Sequence, residues 1–124
     1  MMRAIIGKLV LLILLAQAAS AGQGKPLEIM SFNVRYGLAE DGANAWPKRE
    51  EQLLATISRQ APTLLGLQEA LGFQLDAILK HLPNHDMVGE GRDGGQKGEY
   101  APLLFDRRLF ALEGGGTFWL SDTP

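Results

Sequence analysis

Two short apolar runs, each handing over to an amphipathic helical pattern, constrain this chain more than any other feature of its sequence. Leu27-Glu28-Ile29-Met30-Ser31-Phe32-Asn33-Val34 is rich in apolar residues on both faces and reads as a buried strand. Pro47 then falls where a first helical position tolerates its missing N–H, and a helix is expected to run to about Gln60. Leu53, Leu54, Ile57 and Ala61 recur on one stripe of it, so that stripe needs a sheet to cover. Pro62 closes the helix, and Thr63-Leu64-Leu65-Gly66-Leu67-Gln68-Glu69 is a second apolar run ending on a charge. Leu75, Ile78, Leu79 and Leu82 follow at i, i+3, i+4 and i+7, predicting a second helix over 74–81 that Pro83 stops. Strand, helix, strand, helix in that order is the signature of an α/β layered sheet.

Beyond Pro83 the pattern changes. Residues 86–89 read as a strand and residues 91–98 as a glycine-rich loop. Residues 99–105, 109–112 and 117–120 are expected as an antiparallel meander, which would leave an unpaired edge and uncovered faces.

Residues 1–21 are set aside from the fold. Arg3 and Lys8 precede an unbroken apolar run over 9–15, and Ala19-Ser20-Ala21 supplies the small-x-small pattern of a cleavage site, with Ala16-Gln17-Ala18 as a second one. The stretch is expected to be a secretory signal peptide, because a membrane-spanning helix needs about 18 uncharged apolar residues and Lys8 interrupts too early. Export to the periplasm or medium, with no stable membrane anchor after cleavage, is the consequence. Residues 22–26 form a flexible lead and 27–124 the folded part. Cleavage after Ala21 leaves ten basic and fourteen acidic residues, a net charge of −4. A protein held on long nucleic acid by phosphate contacts carries a basic face, and no basic cluster longer than Arg107-Arg108 occurs. With no cysteine at all, disulfides, thiolate zinc sites and thiol nucleophiles are excluded.

In open α/β sheets ligands bind outside the carboxyl ends of the strands, and Asn33 and Glu69 stand there. A carboxylate and an amide oxygen suit Mg²⁺ and a phosphate oxygen. The plainer reading makes Asn33 the cap of the turn that follows it and Glu69 the cap of the second helix; spacing alone favours these caps. Arg92 has a planar fork suited to phosphate, though a lone loop arginine is usually just solvated. Tyr100 could orient a phosphate through its hydroxyl or fill the core. His81 and His85 have no third histidine nearby, so no zinc site is expected, and no serine stands in a nucleophile-elbow context. The glycine loop lacks the endings of a P-loop or Rossmann fingerprint.

Taken together, residues 30–37 (Met-Ser-Phe-Asn-Val-Arg-Tyr-Gly), Trp46-Pro47-Lys48-Arg49 and Leu65-Gly66-Leu67-Gln68-Glu69 resemble the opening motifs of the endonuclease/exonuclease/phosphatase superfamily, in order and spacing. Residues 88–95, 98–103 and 116–121 resemble an exported bacterial branch of it. The resemblance implies the N-terminal half of a four-layered α/β/β/α sandwich and metal-dependent hydrolysis of phosphate esters. It matches Glu69 to the family's Mg²⁺ ligand (Mn²⁺ being an alternative ion), Asn33 to its partner at metal and phosphate, and Arg92 and Tyr100 to positions approaching the phosphate. Small phosphoesters or lipid headgroups are expected over long nucleic acid; the oligomeric state is left open. The family's later Asp-x-Asn and Asp-His motifs do not occur in this sequence, so the chain alone is expected to be inactive and half built. The competing expectation is a truncated module that binds without turnover.

Overall fold

A computed structural model describes residues 26–118, 120 and 121; the predicted signal peptide and residues 22–25 of the lead lie outside that description. Along the chain run β1 (Ile29–Asn33), a 3₁₀ turn (Gly42–Asn44), α1 (Trp46–Gln60), β2 (Leu64–Gln68), α2 (Gly72–His81), β3 (His85–Val88) and β4 (Leu103–Asp106). No described helix is long and apolar enough to cross a membrane.

The strands form one mixed sheet in the order β1-β2-β4-β3. β1 and β2 run parallel with Asn33 opposite Gln68, while β4 runs antiparallel to both of its neighbours. The α1 crossover is what parallel pairing of β1 and β2 requires. The register sets Met30, Leu65, Leu104 and Met87 in one row across the sheet, with Phe32 and Leu67 beside it. These residues pack with Leu53 and Ile57 of α1 and Leu75 and Ile78 of α2 in a single core. Apolar stripes at helical spacing thus meet alternate residues of the strands.

The opposite face carries Ile29, Ser31, Leu64, Gly66 and Leu103. Ile29 is 72% exposed and Leu103 42%. A Cβ added at Gly66 would meet no atom within 4 Å, so the face is open over β1 and β2, whereas Phe105 on β4 is buried and Gly115 approaches Val88 on β3. The mixed α/β architecture agrees with the sequence reading.

α1 ends at Gln60 because Ala61 adopts a left-handed conformation, φ 46°, and returns its N–H to the Ile57 carbonyl. α2 starts two residues earlier than the periodicity predicts, since the buried Gln74 side chain accepts the Leu71 N–H at 2.9 Å and closes the first turn. The expected meander is corrected. Of the predicted 99–105 strand, 103–105 fall in β4 and Tyr100 makes only isolated bridges, and neither 109–112 nor the described part of 117–120 forms a strand. The chain turns after β4 instead, the Leu109 and Phe110 N–H groups bonding the Asp106 carbonyl at 2.9 and 3.0 Å, and Leu109, Leu112 and Phe118 are exposed.

Candidate functional site

The parallel pairing of β1 and β2 brings their carboxyl ends together, and this is where Asn33 and Glu69 meet. Asn33 Nδ2 donates to Glu69 Oε1 at 2.8 Å, and Tyr36 N donates to Glu69 Oε2 at 3.1 Å. Both carboxylate oxygens are therefore held by N–H donors. These bonds, with Asn33 the stronger influence and Tyr36 next, keep the Glu69 carboxyl below its ordinary range, so it is ionised at neutral pH. Asn33 Oδ1 accepts the Arg35 N–H at 2.8 Å, so Asn33 also serves as the cap expected of it, while Glu69 caps no helix.

The backbone around the pair is strained. Arg35 (φ 62°) and Glu69 (φ 57°) both occupy the left-handed region, which non-glycine residues seldom enter. The Arg35 guanidinium is held by both carboxylate oxygens of Asp41 at 2.9 Å, pinning the loop from outside.

Arg92 and Tyr100 line the same cavity as Glu69, about 430 Å³ in volume, together with Glu90, Glu99 and Thr117. Tyr100 is buried, and its backbone pairs with Ala70 and Gly91, tying the glycine loop to the end of β2. The Arg92 guanidinium is exposed and paired with Glu99 at 3.2 Å. A larger open groove, near 900 Å³, runs past Leu54, Ser58 and His81 on the helices and contains none of the candidate residues. His81 bonds Ser58 at 2.6 Å and His85 bonds the Pro62 carbonyl at 2.9 Å. Pro62 precedes β2 and Glu69 follows it, so His85 is about 20 Å from the site at strand rise.

Among the described residues no group of three or more His, Cys, Asp or Glu is arranged to hold a metal. The donor set nevertheless fits a hard cation of the Mg²⁺ type, which keeps most of its waters and takes one or two carboxylates plus substrate phosphate oxygens. Three carboxylates, Glu69, Glu90 and Glu99, face one guanidinium in this cavity. Such a cavity repels a phosphate until a cation offsets the charge. Sequence reasoning found Asn33, Glu69, Arg92 and Tyr100 but missed the Tyr36 N–H; a backbone donor leaves no mark on residue type.

No protein-family model matches the chain, and no curated protein matches it. Solved structures do. An endonuclease/exonuclease/phosphatase from Bacteroides vulgatus is 34% identical over 77% of this chain, with a TM-score of 0.71. A family protein from Bacteroides thetaiotaomicron is 32% identical over 79%, TM-score 0.72. The mannosyl-6-phosphatase Bt3783 of the same organism is 31% identical over 80%, TM-score 0.73. The chain belongs to the endonuclease/exonuclease/phosphatase superfamily. It spans 37%, 37% and 38% of the length of these three structures. Its mixed sheet and helices are the superfamily's phosphoesterase fold over that span.

Proposed function

We propose that this chain is the metal-binding part of an exported, Mg²⁺-dependent phosphoesterase, with Mn²⁺ able to replace Mg²⁺. The observation that carries the reading is the doubly held Glu69 carboxylate opening on a cavity it shares with Arg92 and Tyr100. Bound there, the cation would polarise the phosphoryl group and offset its charge. Glu69 would hold it and Asn33 would orient Glu69, so that the carboxylate does not have to be ordered when the ion arrives. Arg92 would leave Glu99 for the phosphoryl group, two of whose oxygens its fork matches. Tyr100, fixed by its backbone pairing, would present its ring and hydroxyl to the alcohol portion of the ester.

No histidine among the described residues stands near Glu69, so the group that activates water would come from a part of the domain matching the remaining length of its relatives. The open face of β1 and β2 would seat a second sheet there, completing the sandwich. The acidic mature chain supports a small phosphoester or lipid headgroup over long nucleic acid. Mannose 6-phosphate is the first compound to try, given the description of Bt3783. The test is phosphate release from sugar phosphates, glycerophosphodiesters and duplex DNA, with Mg²⁺ and with chelator, by this chain and by the whole gene product. Turnover by the whole product alone, abolished by chelator, supports the reading. Tight Mg²⁺ binding by both with turnover by neither would favour a module that binds through its uncovered face.

A further inference from the structure

The motif Trp46-Pro47-Lys48-Arg49 belongs to no strand end and lines no wall of the Glu69 cavity, yet its arginine reaches the site's backbone. Arg49 Nη1 donates to the Val34 carbonyl at 2.7 Å, Nη2 to the Arg35 carbonyl at 3.0 Å and Nε to the Asn44 carbonyl at 2.9 Å. From the other helix, Gln74 Nε2 donates to the same Arg35 carbonyl at 3.0 Å. Gln74 is fully buried, and its Oε1 is occupied by the Leu71 N–H, so its amide cannot turn over without breaking both bonds. The Arg49 guanidinium lies 5.2 Å from the centre of the Trp46 ring, which holds its plane.

A trans peptide is planar, and its C=O and N–H point in opposite directions. The Val34 carbonyl and the Arg35 N–H are two ends of one such plane; the Arg35 carbonyl and the Tyr36 N–H are the ends of the next. Both carbonyls are gripped from the helix side. Their N–H groups consequently face the site, where Arg35 N meets Asn33 Oδ1 and Tyr36 N meets Glu69 Oε2. The turn between the two planes is Arg35 itself at φ 62°, a conformation that relaxes unless its surroundings hold it. Gly37 adds a further constraint: a Cβ there would fall 2.6 Å from the Gln74 amide carbon and 2.5 Å from Phe73, so the chain passes directly against the grip.

We propose that Arg49 and Gln74 are positioning residues for the Glu69 carboxylate, clamping two successive peptide planes so that a strained loop presents its N–H groups to Asn33 and Glu69. The function of the clamp rests on the proposed role of Glu69 as a metal ligand; its mechanical part does not. Lysine at position 49 keeps the charge but has one ammonium where the guanidinium reaches three carbonyls, and it loses the planar stack on Trp46. Glutamate at position 74 keeps the acceptor for Leu71 and, ionised, replaces the donor to Arg35 with a buried negative charge that repels its carbonyl.

The experiment uses the full-length chain with two readouts: exchange of the Tyr36 amide hydrogen without metal, and Mn²⁺ affinity followed by water-proton relaxation. In Arg49→Lys and Gln74→Glu, Tyr36 exchange is expected to rise about tenfold or more. Mn²⁺ affinity is expected to fall about 10-fold to 100-fold, the usual cost of losing a group behind a ligand. Ile57→Val, a core change away from the loop, is expected to leave both readouts near wild type. Unchanged Tyr36 exchange in both folded variants overturns the proposal, as does an equal rise in Ile57→Val, which would reduce the effect to general stability. If neither variant folds, hydrogen-bond couplings from the Arg49 guanidinium to the Val34 and Arg35 carbonyls in the wild type decide it, their absence overturning the clamp. Glu69→Gln separates the two ideas. Unchanged Mn²⁺ affinity in that variant removes Glu69 from the metal site, while faster Tyr36 exchange in Arg49→Lys would still establish the clamp.

Discussion

The side-chain amide of Asn33 donates to Oε1 of Glu69 across 2.8 Å, joining the last residue of β1 to the residue that follows β2. Their Cα neighbours are set by strand register, Asn33 lying opposite Gln68, so the pair is a direct product of the parallel sheet. The Asn33 hydrogen bond is the leading cause that holds the Glu69 carboxyl below its ordinary range. Replacing Asn33 by alanine is expected to move the Glu69 carboxyl up toward its ordinary value of 4.5. Carboxyl-carbon titration by NMR reads this directly, and an unmoved value would mean that Tyr36 alone sets it.

Glu69→Gln keeps the size of the side chain and removes the charge that a cation needs. In the whole gene product, Mg²⁺-dependent phosphate release is expected to fall more than about 100-fold, beyond the usual cost of losing a group that merely supports a ligand. Far-UV circular dichroism is expected to stay that of the wild type. Undiminished release would end the assignment of Glu69.

A third left-handed residue separates strain with a proposed use from strain without one. Ala61 closes α1 at φ 46° and touches no candidate residue, so Ala61→Gly should remove a steric cost at no functional loss. The expected gain is about 1 kcal/mol, after the larger unfolded-state entropy of glycine is deducted. Urea unfolding measures it, and a loss of stability would show the αL geometry to be cheaper for Ala61 than sterics predict.

Acid should weaken the far end of the sheet. The side chain of Arg108 is the main cause that holds the Asp106 carboxyl well below its ordinary 3.8, and Asp106 is almost fully buried on β4. A carboxylate whose folded value lies below its unfolded one binds fewer protons when folded. Its contribution is therefore fully present above about pH 4 and lost progressively as the pH falls below that. Asp106→Asn is expected to lower the melting temperature at pH 7 and to flatten its decline between pH 4 and the onset of acid unfolding. An equally steep decline in the variant would assign the acid sensitivity elsewhere.

What the sequence made legible follows the range of the interactions concerned. β1, α1, β2 and α2 are each written in their own residues, because the stripe of Leu53 and Ile57 or the run 64–68 reports burial locally. The strands expected at 109–112 and 117–120 are not found among the described residues, since an apolar run reports a face to be covered and says nothing of which strand will pair with it. The site divides in the same way. Asn33 and Glu69 stand out because they end apolar runs, whereas the contacts of Arg49 and Gln74 with the 34–36 backbone depend on two helices converging on one loop. The one sequence signal for Gln74 was a polar residue beside Leu75 and Ile78 at the start of an apolar stripe.

Gly91 in the glycine loop and Gly66 on β2 offer the sharpest contrast between two positions of one residue type. A Cβ at Gly91 would lie 1.9 Å from the Lys97 carbonyl oxygen, inside any permitted contact, and the Gly91 N–H is bonded to the Gly95 carbonyl at 2.8 Å. Gly91 also bridges to Tyr100, so a displaced loop carries Tyr100 and the neighbouring Arg92 with it. Gly91→Ala is expected to cost about 1–3 kcal/mol, the range for overpacking, and to weaken binding of a phosphate ester without changing Mn²⁺ affinity, because Glu69 is held from the other side by Asn33 and Tyr36. Gly66→Ala, on the open sheet face, is expected to change the stability of this chain by less than about 0.5 kcal/mol. Thermal unfolding and parallel titrations of both variants with Mn²⁺ and with a sugar phosphate make the comparison. Equal loss of both ligands in Gly91→Ala would show that the loop supports the carboxylate as well as the phosphate.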